Sequence, residues 1–186
     1  MRVQYSKVYS EHEDLTNPMV AHQVVSAICR REEGRSLFRI SEDVGGVYLL
    51  LQSLSKPRFD HVPGLHFQTK EVNIGLRRQK YLFTVCCNPV KSGPDNKRTG
   101  ITDPKERIEW FQNMLGRNGM RVVEARALSN GMRRFERNGC DISAYSVTFK
   151  GAIAVEDPKL AEGILAAGIG KCKAFGFGLI TLRAYP

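Results

Sequence analysis

Three of the four Asx-Pro pairs in the sequence, Asn17-Pro18, Asp103-Pro104 and Asp157-Pro158, are candidate helix starts. An Asx side chain accepts a hydrogen bond from the first turn of a helix, and proline suits the first helical position because it has no N–H to leave unpaired. Each pair therefore predicts the start of a helix. Apolar residues at helical spacing follow the first two pairs, and the first helix is expected to end at Gly34.

The segments between these helices alternate apolar and polar residues or form short apolar runs, as β-strands do. Predicted strands cover residues 2–9, 37–40, 47–52, 69–74, 81–87, 121–125, 145–155 and 179–182. A loop at 55–66, with two prolines and a glycine, stands where the first half would need a second helix. The order predicts an α+β fold with two tandem ferredoxin-like (βαββαβ) domains, at 1–78 and 79–186, of which the first is degenerate.

Positive charge is in excess, because 28 Lys and Arg residues face 19 Asp and Glu residues, for a formal net charge of +9. This excess favours a polyanionic partner, with nucleic acid ahead of an anionic membrane surface. The five cysteines are odd in number and include no C-x-x-C pair, which argues against a disulfide framework and a structural zinc site. No apolar run approaches the ~18 residues that span a bilayer, and the N-terminus lacks a secretory pattern. We expect a soluble, cytoplasmic protein without membrane association.

The segment 168–178 holds four glycines, in two Gly-apolar-Gly clusters with two lysines between them. Glycine permits close backbone approach, so exposed N–H groups could hold phosphate oxygens while the lysines add charge. The alternative is a tight connection in which the glycines only make room. The segment matches neither a P-loop nor a dinucleotide-binding fingerprint. The predicted phosphate-binding residues are Gly168, Gly170, Lys171, Lys173, Gly176 and Gly178.

This segment resembles the glycine-rich loop of the CRISPR-associated endoribonucleases that process repeat RNA, in particular the CasE type of the Cascade complex. Other segments fit in the same order along nearly the whole chain. The first strand is followed by a helix with His22, residues 47–53 resemble a strand of the family, Asn88-Pro89-Val90-Lys91 resembles its Asn-Pro-x-Lys turn, and 107–115 resembles its second helix.

The resemblance implies a metal-independent cut in which a ribose 2′-OH attacks the adjacent phosphate, leaving a 2′,3′-cyclic phosphate and a 5′-OH. It implies no cofactor and no metal site. It also implies that the protein stays bound to the product as a Cascade subunit. The partners would be the CRISPR repeat stem-loop RNA and other Cascade subunits, especially a backbone subunit.

His22 matches the catalytic histidine of the family, and histidine can accept or donate a proton near neutral pH. At 100° per residue it falls at the edge of the apolar stripe of its helix, beside Ser26 and Cys29. Members of the family often carry a tyrosine three residues earlier, where this chain has Met19. The proton-transfer partner of His22 is therefore open, with Tyr5 and the lysines of the glycine-rich segment as unranked candidates.

Three groups of cationic residues are predicted to hold RNA. One follows the first helix, where the alternative is an interaction with the helix C-terminus. The second lies in a basic connection at 126–138, expected to form a flexible hairpin, where the alternative is a solvated loop. The third is the loop 91–98, where the alternative is contact with a protein neighbour. The residues are Arg30, Arg31, Arg35, Lys91, Arg126, Arg133, Arg134 and Arg137.

Two other functions stay open on the sequence alone. Because Met19 replaces the usual tyrosine, the protein could be a non-catalytic RNA-binding subunit of a crRNA-guided complex. Alternatively, a basic ferredoxin-like protein could bind a small phosphate ligand through its glycines. Cleavage of repeat RNA in EDTA separates the enzyme from the first alternative, and salt-sensitive RNA affinity separates it from the second.

Overall fold

The computed structural model describes residues 2–30, 32, 34–77, 79–93 and 98–186 of the chain. Its first half forms an antiparallel four-stranded sheet with the strand order β2-β3-β1-β4. The elements are β1 (Arg2–Ser10), α1 (Pro18–Ile28), β2 (Leu37–Asp43), β3 (Gly46–Ser53) and β4 (Leu65–Asn73), with a short 3-10 turn at Phe59–His61. This order is that of a ferredoxin-like unit whose second helix is missing.

The helix α1 forms where the Asx-Pro pair predicts it. The side chain of Asn17 accepts a hydrogen bond from the N–H of Met19 over 2.9 Å. Ala21, Val24, Val25 and Ile28 then bury one face of the helix against the sheet. The sheet supplies apolar side chains at alternate strand positions, since Val8, Phe38, Leu49 and Leu51 belong to the same core cluster.

The second half contains a complete ferredoxin-like unit with the strand order β10-β5-β9-β8. Its elements are β5 (Lys80–Cys87), β6 (Val90–Ser92), β7 (Arg98–Gly100), α2 (Pro104–Gly116), β8 (Met120–Arg137), β9 (Cys140–Val155), α3 (Pro158–Ala167), a 3-10 turn at Lys173–Phe175 and β10 (Thr181–Ala184). The strands β6 and β7 form a separate small hairpin. Both helices begin at their Asx-Pro pairs, where the side chains of Asp103 and Asp157 accept from backbone N–H groups of the first turn.

The two halves share apolar packing. Val3 and Ile74, from the first half, belong to the main core cluster of the second half, together with Phe111, Phe149 and Ile153. All five side chains are at least nine-tenths buried. The two halves therefore share one apolar core.

The predicted fold class is confirmed, with two ferredoxin-like units and the first one degenerate. The domain boundary between residues 78 and 79 stays a prediction, and Arg78 lies outside the described residues. The first helix was expected to reach Gly34, which is wrong. It ends at Ile28, because Cys29 adopts an extended backbone and the carbonyl oxygen of Ile28 accepts from Arg58 over 2.8 Å.

The segment 126–138, predicted as a flexible basic hairpin, does lie in a hairpin, but it is not a separate connection, because its residues continue a strand. The pairing of β8 with β9 runs from Met120 opposite Val155 to Arg137 opposite Cys140. A bulge near Gly131 interrupts the register without opening a loop. Side chains alternate across this strand, and Phe135 is buried between two exposed charged neighbours. Alternation of this kind is typical of a strand with one buried face. The many charged residues in this segment made the alternation hard to recognise in the sequence.

Candidate functional site

His22 lies in the second turn of α1, beside the buried stripe of Ala21, Val25 and Ile28. Its imidazole is half-buried, as the helical periodicity predicts. The centroid of its ring lies 5.5 Å from that of Phe175, with an angle of 59° between the ring planes. Phe175 belongs to the 3-10 turn near the C-terminus, so the imidazole of the first half is held against the glycine-rich segment of the second half.

A cleft of about 780 Å³ opens beside His22, between α1 and the glycine-rich segment. Its lining joins the imidazole to cationic side chains from three separate parts of the sequence. These cations are Arg30, Arg35, Arg137, Lys171 and Lys173. These positive charges repel one another in a partly enclosed space, and an anion bound between them would relieve this repulsion. The cleft therefore favours an anion with several negative charges. Ser26 and Cys29 complete the helix side of the cleft, where the sequence placed them next to His22.

Lys173 is held in place by a hydrogen bond from its Nζ to the backbone oxygen of Ala167, over 2.9 Å. Burial lowers the pKa of Lys173, and the positive charges of Arg35 and Lys171 lower it further. A lysine with a lowered pKa gives up its proton more readily, whereas a phosphate beside it favours the charged form. Lys173 can therefore act as a phosphate ligand or as a proton donor.

The glycines of this segment differ in their surroundings. Gly168, Gly176 and Gly178 are buried, and Gly170 lines the cleft. The N–H of Gly178 donates to the backbone oxygen of Cys86 over 2.7 Å, and the N–H of Gly168 donates to that of Ile164 over 2.8 Å. These two N–H groups are thus occupied within the protein. Phosphate binding by the glycines stays a prediction, and Gly170 is the one among them that lines the described cleft.

Two arginines of β8 stack on phenylalanines beside the cleft. The guanidinium of Arg137 lies 5.8 Å from the ring centroid of Phe175, and that of Arg133 lies 5.6 Å from the ring centroid of Phe177. Both arginines share a strand face with Phe135, whose ring lies 4.5 Å from that of Phe175. The aromatic cluster therefore fixes where these cations stand relative to His22.

The remaining arginines of β8 extend the positive charge beyond this cleft. Arg134 is exposed and lines a second, shallower cleft with Arg133, next to the N-terminal end of α1. Arg126 is exposed and lies opposite Lys150 of β9 in the strand register. Lys150 is a cation that the sequence analysis missed, because only the strand pairing brings it to Arg126.

Some predicted site residues do not reach the cleft. Lys91 lies in β6, where its Nζ donates to both carboxylate oxygens of Glu106, over 2.7 and 3.0 Å. The hydroxyl of Tyr5 donates to the side-chain oxygen of Gln52 over 2.6 Å, and burial raises the pKa of Tyr5 to about 12. Tyr5 is absent from the described lining of the cleft, so it is no longer a candidate partner of His22. Arg31 lies outside the described residues.

Met19 packs against the aromatic cluster that contains Phe135, Phe175 and Phe177. A thioether in this position adds apolar contact and transfers no proton. Phe175 lies against His22 and Cys172 lines the cleft, and neither position was predicted from the sequence. Their only signal was a place between the two glycine clusters, which does not show what they contact.

Within the described residues, no group of three or more His, Cys, Asp and Glu side chains is arranged to hold a metal ion. Among the helices in the same part of the chain, none has both the length and the apolar character that crossing a bilayer requires.

The chain was compared with models of protein families. The model described as "CRISPR associated protein" matches residues 2–184. The chain belongs to this family.

Two relatives of this CRISPR-associated protein are named as an endoribonuclease and as a Cascade subunit. The chain is 28% identical to the "CRISPR-associated endoribonuclease Cse3" of Thermus thermophilus, over 91% of each chain. It is 29% identical to the "CRISPR system Cascade subunit CasE" of Escherichia coli, over 74% of each chain. A solved structure of Cse3 bound to a 19-nucleotide RNA matches it with a TM-score of 0.87 and 25% identity, over 99% of this chain and 100% of the other.

Proposed function

We propose that this protein is an endoribonuclease that cuts CRISPR repeat precursor RNA beside a stem-loop. It then stays bound to the mature RNA as a subunit of a Cascade complex in the cytoplasm, in contact with a backbone subunit. The observation that carries the proposal is the cleft in which His22 stands among Arg30, Arg35, Arg137 and the two lysines of the glycine-rich segment. The similarity to an endoribonuclease and to a Cascade subunit supports the same conclusion.

The proposed reaction needs a proton acceptor and a proton donor on opposite sides of one phosphate. The ribose 2′-oxygen forms a bond to phosphorus as its proton leaves, and the bond from phosphorus to the 5′-oxygen breaks as that oxygen takes up a proton. The products are a 2′,3′-cyclic phosphate and a 5′-OH. The imidazole of His22 can act at either oxygen, because histidine titrates near neutral pH.

Lys173 is the proposed partner of His22 in this reaction. It lines the same cleft, and its lowered pKa suits a group that donates a proton or hydrogen bond to the oxygen that leaves. Lys171 and Arg35 stand beside it and would stabilise the charge that develops on the phosphate. In this scheme Met19 has no part in proton transfer, so a tyrosine at that position is dispensable.

The stem of the RNA is proposed to lie along the hairpin of β8 and β9. Arg126, Arg133, Arg134 and Arg137 are distributed along β8, with Arg133 and Arg134 on opposite faces of the strand, and Arg137 lines the cleft. Cations spread along this strand suit the phosphates of a duplex RNA, whose deep major groove limits contact with the bases. The hairpin would thus hold the stem while the adjacent single strand enters the cleft.

Cleavage of the cognate repeat RNA by purified protein in EDTA tests the proposal. Wild-type protein is expected to give one cut, a 5′-OH on one product and a cyclic phosphate on the other, which mild acid opens. His22→Ala is expected to bind RNA as tightly as wild type and to cut about 10²- to 10⁴-fold more slowly. The matched control is His61→Ala, because His61 lies in the 3-10 turn before β4, away from the described lining of the cleft.

Each outcome separates the candidate functions. Tight binding by wild-type protein without any product supports the non-catalytic RNA-binding subunit. Absence of salt-sensitive RNA affinity supports a protein for a small phosphate ligand. Normal cleavage by His22→Ala contradicts the role of His22, and a loss of cleavage on removal of divalent ions contradicts the metal-independent reaction.

A further inference from the structure

Asn88 is buried at the end of β5, with 5% of its surface exposed, although it carries an amide that must be hydrogen-bonded. Its Oδ1 accepts from the backbone N–H of Tyr145 over 3.1 Å. Since an N–H group needs an acceptor, this bond fixes which end of the amide faces Tyr145. The Nδ2 is left to donate to the sulfur of Cys172, over 3.3 Å.

Cys172 has a left-handed backbone, with φ of 60° and ψ of 28°, at the start of the 3-10 turn Lys173–Phe175. Glycine would adopt this conformation without strain, and the same segment uses glycine at four positive-φ positions. A strained backbone of this kind persists where surrounding contacts hold it. The side chain of Cys172 provides the contact that glycine lacks, because its sulfur is the atom that Asn88 holds.

The turn that begins at Cys172 carries the groups that surround His22. Lys171 and Lys173 flank Cys172 in sequence and both line the cleft. The backbone oxygen of Cys172 accepts from the N–H of Phe175 over 2.9 Å, which closes the turn. The ring of Phe175 then lies 5.5 Å from the imidazole of His22, between ring centroids.

We infer that Asn88 is a positioning residue for the cleavage site and acts through Cys172. By holding the turn that begins at Cys172, Asn88 keeps the ring of Phe175 beside His22 and keeps the two lysines in the cleft. Asn88 itself does not touch the reacting atoms. The inference rests on the proposed function for its effect on cleavage. The influence of Asn88 on the surroundings of His22, through Cys172 and Phe175, can be measured without any activity.

The test compares three variants. Cys172→Ala removes the acceptor, and Cys172→Ser keeps an acceptor at the same place. Asn88→Asp keeps the acceptor for Tyr145 and loses the donor to Cys172, because an ionised carboxylate only accepts. Cys172→Ala and Asn88→Asp are expected to lower the single-turnover cleavage rate at saturating protein by about 10- to 100-fold, the usual effect of a misplaced reacting group. Cys172→Ser is expected to cut faster than Cys172→Ala, because the serine oxygen restores an acceptor for Asn88.

A merely structural role predicts a different kinetic result. Partial unfolding would lower the concentration of active protein, so more total protein would be needed for saturation, and the rate constant at saturation would stay unchanged. A positioning role lowers the rate constant even at saturating protein. An unchanged rate constant in Cys172→Ala, or an equal loss in Cys172→Ser, would overturn the inference.

The second measurement is the NMR resonance of the His22 ring, assigned by its disappearance in His22→Ala. The nearby ring of Phe175 shifts this resonance, so Cys172→Ala and Asn88→Asp are expected to move it and Cys172→Ser to leave it in place. If wild-type protein does not cut repeat RNA but the resonance moves as expected, the proposed function fails and the positioning stands. If the resonance stays in place in both Cys172→Ala and Asn88→Asp, the positioning fails even when wild-type protein cuts.

Discussion

Gln52 of β3 donates its side-chain amide to the backbone oxygen of Leu165 in α3, over 3.0 Å. The same side chain accepts from the hydroxyl of Tyr5 over 2.6 Å. Gln52 is buried, with 2% of its surface exposed. It thus connects the sheet of the first half to the helix that leads into the glycine-rich segment. His22 belongs to the first half and the lysines of the cleft to the second. The hydrogen bond from Gln52 to Leu165 is therefore one of the contacts that join the two halves that form the site.

Gln52→Ala is expected to destabilise the protein by about 2–3 kcal/mol, because it leaves the hydroxyl of Tyr5 and the oxygen of Leu165 buried without their partner. Unfolding in urea, followed by fluorescence, measures this change. Gln68→Ala is the control, because Gln68 is exposed on β4. A loss below about 0.5 kcal/mol, the usual range for surface substitutions, would contradict the importance of this contact.

The starts of the helices could be predicted from sequence because capping is local. The side chains of Asn17, Asp103 and Asp157 each act on N–H groups within three residues. The end of α1 could not be predicted in this way. It depends on Arg58, 30 residues after Ile28 in the sequence, whose N–H takes the carbonyl oxygen of Ile28.

The same distinction between local and long-range interactions applies to the candidate site. His22 and the lysines of the glycine-rich segment are visible because histidine and lysine carry their chemistry on their own side chains. The link from Asn88 to Cys172 joins residues 84 positions apart, and neither residue type by itself indicates it. The pair Arg126 and Lys150 likewise exists only through the register of β8 and β9. Sequence thus indicates the proposed reacting groups, and the fold decides which residues support them.

Arg35→Gln is expected to move the alkaline limit of cleavage to higher pH. The positive charge of Arg35 is one of the causes that lower the pKa of Lys173, so its removal raises that pKa. If protonated Lys173 is the donor, the rate falls as pH rises through this pKa, and a raised pKa delays the fall. Single-turnover rates across the alkaline range, at saturating protein, measure the shift.

Lys173→Arg provides the control for this profile. A guanidinium stays protonated throughout the accessible range, so the alkaline fall caused by Lys173 should disappear even if the maximal rate is lower. An alkaline limit that is the same in Arg35→Gln, Lys173→Arg and wild-type protein would show that Lys173 is not the group that titrates.

Arg126→Gln is expected to weaken RNA binding without weakening the fold. Arg126 and Lys150 are exposed like charges directly opposite each other on adjacent strands, an arrangement that does not stabilise a sheet. An RNA phosphate between them would relieve the repulsion. The slope of log K against log salt should fall by about 1, and the free energy of unfolding should stay within about 0.5 kcal/mol of wild type.

Lys91→Gln is the matched cationic control, because the Nζ of Lys91 lies 2.7 and 3.0 Å from the two carboxylate oxygens of Glu106, whereas the Nε of Arg126 lies 3.6 Å from the carboxylate of Glu124. It should leave the salt slope unchanged. Equal effects of the two substitutions on the slope would mean that RNA binding follows net charge and that the hairpin has no special part in it.

Gly178→Ala is expected to destabilise the protein by more than about 3 kcal/mol, because two costs add at this residue. Its φ is +85°, where residues with a side chain are strained, and a Cβ would collide with the backbone oxygen of Ile169.

Gly163→Ala is a control with an effect of the opposite sign, because Gly163 lies in α3 with nothing near the added Cβ. It should stabilise the protein by about 0.5–1 kcal/mol, since alanine loses less conformational freedom in a helix. Thermal unfolding of both variants measures the two effects, and a Gly178→Ala protein as stable as wild type would mean that glycine is not required for packing at this position.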